Sequence, residues 1–122
     1  MGYSTGDKLT LSEIGRRAYE TAKRAGFCVL PDGDERIIPE SIALIHSEAS
    51  EALEEYRTCE AGEIAKQVTS PEGKPLGFGS ELADLIIRTA HLAERLGIDL
   101  NAEVERKLEY NRTRKWPKGI RC

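Results

Sequence analysis

A chain of 122 residues is long enough for one domain with one hydrophobic core. With 39% hydrophobic and 32% charged residues it has the balance of a soluble globular protein, not a disordered one. A formal net charge of −3 excludes a general basic field for polymeric nucleic acid or an anionic membrane. The charges are unevenly placed. Glu40, Glu48, Glu51, Glu54, Glu55, Glu60 and Glu63 crowd the centre, while Arg106, Lys107, Arg112, Arg114, Lys115, Lys118 and Arg121 crowd the end. An acidic centre with a basic end suits a ligand that carries both metal and phosphate. Cys28, Cys59 and Cys122 are far apart and form no Cys-x-x-Cys pair, so neither zinc nor a disulfide framework is indicated. Free thiols, with no signal peptide and no membrane-length apolar run, point to a reducing cytoplasm.

Residues 1–9 read as a loose lead-in to a single domain that occupies the whole of 1–122. Thr10 and Glu13 have capping-box spacing, and a first helix is expected from about Leu11 to Ala25, stopped by Gly26. Pro31-Asp-Gly-Asp34 reads as a turn. Pro39 suits the first position of a second helix, expected from about Pro39 to Arg57. At about 100° per residue, Ile42, Ile45, Ala49, Ala52, Leu53 and Tyr56 fall on one arc and read as a core stripe. Glu48, Glu51 and Glu55 lie beside that arc rather than opposite it, where carboxylates are partly desolvated.

Thr58 to Gly79 is a long connection, punctuated by glycine and proline, with room for a short helical turn near Ala61–Val68. Ser80 reads as the cap of a third helix from about Glu81 to Leu96, stopped by Gly97. Its apolar residues cover more than half the circumference, as in a helix buried on two sides or set against a partner subunit. Glu81, Asp84, Arg88, His91 and Arg95 make its polar strip. Asp99 reads as the cap of a fourth helix from about Leu100 to Lys115, with Leu100, Val104 and Leu108 as its apolar stripe. Lys107, Asn111 and Arg114 recur at helical spacing beside it. Residues 116–122 form a tail, and no stretch alternates as a long strand would.

Glu48 with Glu51, and Glu81 with Asp84, are carboxylate pairs one turn apart on helix faces. One such pair is ordinary surface solvation. Two pairs, each abutting a strongly apolar arc, are brought together by helix packing. Like charges at 4 Å repel by about 4 kcal/mol at an effective dielectric of ~20, so four carboxylates call for a shared proton or a divalent cation. Oxygen-only donors suit Mg²⁺, with Mn²⁺ as a substitute. A di-iron site of the ferritin type would need Glu-x-x-His on two helices, whereas Ala43 and Arg88 stand three residues before His46 and His91. Cations at Lys107 and Arg114, with Asn111, would hold phosphate or sugar oxygens. Taken alone they also fit a solvated helix C-terminus.

These segments resemble the MazG-like all-α nucleoside triphosphate pyrophosphohydrolases. The resemblance is carried by Glu48-x-x-Glu51 within Leu44–Glu54, by Glu81-x-x-Asp84, by Leu96-Gly-Ile-Asp99 and by Lys107-x-x-x-Asn111-x-x-Arg114. It runs from about Leu11 to Lys115 and implies an all-α, four-helix-type bundle completed by oligomerisation as a homodimer or homotetramer. The activity implied is Mg²⁺-dependent hydrolysis of (deoxy)nucleoside triphosphates between the α and β phosphates, which gives a monophosphate and pyrophosphate and serves nucleotide-pool house-cleaning. The resemblance puts the metal ligands on Glu48, Glu51, Glu81 and Asp84. Glu48, Glu51 or Glu55 would take the proton of the attacking water. Phosphate contacts would fall to Lys107, Asn111 and Arg114, with Trp116 or Tyr110 stacking on the base. The connection between the acid pairs is longer than in many members. The rival reading is a helical nucleotide- or metal-binding or dimerisation module that leaves a triphosphate unbroken.

Overall fold

The computed structural model describes residues 8–116. The lead-in residues 1–7 and the tail residues 117–122, Cys122 among them, lie outside that range. Four helices carry the fold: α1 (Leu11–Arg24), α2 (Ile37–Thr58), α3 (Phe78–Leu96) and α4 (Leu100–Thr113). The architecture is all-α, as expected. The single departure is a minimal antiparallel hairpin, β1 (Val68–Thr69) with β2 (Pro75–Leu76), in the connection before α3.

The caps show why the helices start where they do. The Thr10 side chain accepts a hydrogen bond from the Glu13 N–H, and the Asp99 side chain accepts one from the Ala102 N–H, as their spacing indicates. Two starts differ from expectation. α2 begins at Ile37, two residues before Pro39, because Asp34 accepts from both the backbone and the guanidinium of Arg36 and builds the turn that leads in. Ile37 is thereby buried. α3 begins at Phe78, not Glu81, and its N-cap is Gly77 at φ 97°, a backbone region that a side chain rarely allows. Ser80 sits inside the first turn, its hydroxyl donating to the Pro75 carbonyl. The connection turns at Glu60–Glu63 and Glu63–Lys66, and no helix forms at 61–68 because the chain turns there to enter the hairpin. α4 ends at Thr113, two residues before Lys115.

α3 is the central helix, with α1 packed along one side and α2 along the other. α4 packs chiefly against α1, where Asn101 accepts from the Leu11 N–H and donates to the Ser12 hydroxyl. The α1–α3 contact is close. A Cβ built on the buried Gly15 would stand 2.5 Å from the Ala90 carbonyl oxygen. Ala90 and Ala93 are correspondingly among the few buried apolar residues.

The expected core stripe of α2 is only partly covered. Ala52 is buried, but Leu53 is 47% and Tyr56 63% exposed, and Ile42 and Ala49 are exposed too. The face turned to α3 instead carries Ile45, Glu48 and Ala52. α3 has neighbours on both sides, yet Leu82, Ile86 and Ile87 remain exposed, as do Val104 and Leu108 on α4. No α4 residue is buried.

Gly15→Ala is expected to cost about 1–3 kcal/mol, because the methyl must displace backbone rather than a flexible side chain. Calorimetry should show a melting temperature lower by roughly 5–10 °C. An unchanged melt would mean that α1 and α3 can separate without loss.

Candidate metal centre

α2 and α3 run antiparallel, so Glu48 and Glu51 near the middle of α2 meet Glu81 in the first turns of α3. One carboxylate oxygen from each of these three glutamates lies within 4.8 Å of the other two. Their exposures differ: Glu48 is 5% exposed, Glu81 is half-buried and Glu51 is open to solvent. Three of the four expected carboxylates therefore converge. Asp84 does not join the group. Glu48 and Glu51 share the same three-residue spacing and do meet, so spacing alone does not decide which pair closes on the seam. Asp84 is exposed and borders a groove of about 780 Å³ between α1 and α3, lined by Ile14, Ala18, Phe27, Ile86 and Ile87 and bordered also by Glu48, Arg88 and His91.

The electrostatics of the cluster are divided. Glu48 Oε1 accepts a hydrogen bond of 2.7 Å from Arg88 Nε, and that contact holds the Glu48 carboxyl below the usual range. Glu81 goes the other way. Burial, then its contacts with the Glu51 and Glu48 carboxyls, push it up to about 7. Glu48 Oε2 and Glu81 Oε2 are both buried without a hydrogen-bond partner. Buried carboxylate oxygens that lack donors are costly, and a cation among them would answer that cost. Together with the all-oxygen donor set, this fits a hard divalent cation.

The remaining expected site residues lie elsewhere in the protomer. Glu55, one turn beyond Glu51, borders a separate cavity of about 200 Å³ beneath the hairpin, with Cys59, Glu63 and Phe78. Lys107 and Asn111 sit on α4 and Arg114 caps its C-terminus, and no hydrogen bond or ion pair joins them to the glutamates among the described residues. They form a local cation–aromatic group instead. Arg114 stacks 3.5 Å from the Trp116 ring, Lys107 lies 5.8 Å from the Tyr110 ring, and Trp116 Nε1 donates to the Asn111 carbonyl. Arg106 and Arg112 pair with Glu103 and Glu109 on the same helix, whereas Lys107 and Arg114 make no ion pair among the described residues.

Sequence reasoning placed Arg88 and His91 on a polar strip and gave them no role. Arg88 follows Glu81 by two turns on one face, a spacing that marks it as a neighbour of the acid pair. His91 stands edge-on to Tyr19, and burial, then Arg95 and Arg88, hold its pKa below the ordinary value.

An all-α protein with a carboxylate cluster that could hold a metal ion is the class that fold and site define. The MazG-like family model matches residues 43–119, more than half of the chain, and spans both acid pairs and the Lys107–Arg114 strip. The chain belongs to the MazG-like family, and at that level it stands with the nucleotide pyrophosphatases. α1 lies outside the matched residues. No curated protein matches the chain.

Glu81 makes the metal-free stability depend on pH with a definite sign. Its stabilising protonated state is fully kept below 4.5, the ordinary carboxyl value, and is lost as pH rises through about 7. Glu48 acts oppositely: its contribution is present above 4.5 and is lost as pH falls below it. With EDTA present, the melting temperature of Glu81→Gln should draw ahead of the parent as pH rises from ~5 to ~8, by several degrees. A gap that stays constant with pH would contradict this account.

Proposed function

We propose that this protein hydrolyses nucleoside triphosphates between the α and β phosphates, releasing a nucleoside monophosphate and pyrophosphate, with Mg²⁺ as its cation and Mn²⁺ as a substitute. The observation that supports this best is the meeting of Glu48, Glu51 and Glu81 across two helices, with two buried oxygens lacking donors. Family membership supports the reaction class.

In this reading Glu48, Glu51 and Glu81 hold the cation, and Asp84, at the border of the adjoining groove, completes the set as the site closes around substrate. A bound divalent cation supplies counter-charge for the polyphosphate and acidifies water. A carboxylate of the cluster, or Glu55, accepts the proton of the attacking water. Lys107, Asn111 and Arg114 bind phosphate oxygens and stabilise the charge that develops there. Arg114 is already ordered against Trp116, whose ring is 53% exposed and can also carry a base.

The working form in this reading is a homodimer or homotetramer. Ile42, Leu53 and Tyr56 on α2, Ile86 on α3 and Leu108 on α4 are uncovered within one chain and are available for a second copy to bury. A second copy covering them also brings α4 cations toward acids that no α4 residue reaches within one chain.

Glu51→Gln should abolish pyrophosphate release from a panel of nucleoside triphosphates with Mg²⁺, read by phosphate chromatography. Its melting temperature should be equal or slightly higher, since a like-charge contact is relieved. Retained turnover, or binding without turnover in the parent, would defeat the proposal. Arg114→Ala should lower turnover ~10²-fold with folding intact. Leu53→Glu should shift the sedimentation coefficient toward that of a monomer, and an unaltered oligomer would clear α2 of an interface role.

A further inference from the structure

Arg88 lies two turns beyond Glu81 on α3 and touches the cluster from the side. Its side chain is 42% exposed and borders the α1–α3 groove next to Asp84. The contact with Glu48 uses one nitrogen and one oxygen: Nε donates to Oε1, and Oε2 is left buried without a donor. Arginine–carboxylate pairs are frequently bidentate, with the fork of the guanidinium satisfying both oxygens. Arg88 does not pair in this way. It contacts one oxygen and leaves the other without a donor, while its terminal nitrogens make no hydrogen bond among the described residues.

We propose that Arg88 is a positioning residue of the cation site, which sets the Glu48 carboxylate so that Oε2 serves the cation and turns its own terminal nitrogens toward a phosphate oxygen of the substrate. The inference rests on the reading of the three glutamates as a divalent-cation site. Two effects of removing Arg88 oppose each other. Loss of a nearby positive charge alone would tighten cation binding, because like charges repel. Loss of the hydrogen bond that orients a ligand weakens it, commonly by 10–100-fold. The geometry makes the second effect dominant.

The test is calorimetric titration of the whole chain with Mn²⁺ in the absence of nucleotide, followed by steady-state kinetics. Arg88→Ala should bind Mn²⁺ ~10-fold more weakly than the parent. Arg88→Lys keeps the charge but lacks a planar donor at Nε, so it should stay weak for Mn²⁺ while recovering most of the KM for triphosphate. Parent-like or tighter Mn²⁺ binding by both variants overturns the role of Arg88 and leaves the cation site standing. Failure of the parent itself to bind Mn²⁺ removes the site, and the inference with it. The lysine variant keeps a cation beside the buried Glu48, which guards the comparison against an alanine variant that does not fold.

Discussion

The constraint that organises this protein is the antiparallel packing of α2 on α3, which forces carboxylates into a partly dry seam. Glu48 stands where an apolar residue would ordinarily sit, on the face that also carries Ile45 and Ala52. A buried carboxylate without adequate partners is among the more expensive features that a small fold can carry. Arg88 offsets part of that cost through Oε1, and Oε2 stays uncompensated. Such a seam weakens the fold in isolation, and a cation held there would offset that cost.

The helices around the seam are arranged so that the cluster stays open at one side. Small residues, Gly15 on α1 with Ala90 and Ala93 on α3, let α1 and α3 approach closely near the C-terminal part of α3. Toward the N-terminal part of α3 the groove opens, lined by the exposed Ile86 and Ile87 and bordered by Glu48 and Asp84. The Asp32 carboxylate, which accepts from both Tyr19 and Arg95, ties the α1–α2 connection to the end of α3, so the start of α2 and the height of Glu48 against Glu81 are fixed together.

Much of this was legible from residues alone, because the signals were local. Thr10, Asp99 and Gly97 act as caps and stops wherever they fall in a fold, and Glu48, Glu51 and Glu81 meet as expected, whereas Asp84 does not join them. The misreadings concern what local spacing cannot carry. Pro39 and Ser80 are good helix starters, but the Asp34–Arg36 contacts and the positive φ of Gly77 set the entry turns a few residues upstream, so both helices begin earlier. The stripe from Ile42 to Tyr56 was legible as apolar, yet which apolar arc of α2 meets α3 depends on the partner helix. The seam took Glu48 instead, since the cluster needs it there. Arg88 escaped notice for the same reason: its role is defined by a residue 40 positions away.

The opposite displacement of Glu48 and Glu81 carries the argument one step further. Arg88 holds Glu48 ionised, while burial and its two neighbours keep Glu81 near neutrality, so around pH 7 a proton is shared over the cluster. In the proposed reading, a divalent cation bound by Glu81 competes with that proton. Cation affinity should then weaken as pH falls below 7, well before ordinary carboxylates protonate. The neighbours that destabilise Glu81 as an anion therefore make it more responsive to pH near neutrality than Glu48, which Arg88 holds ionised.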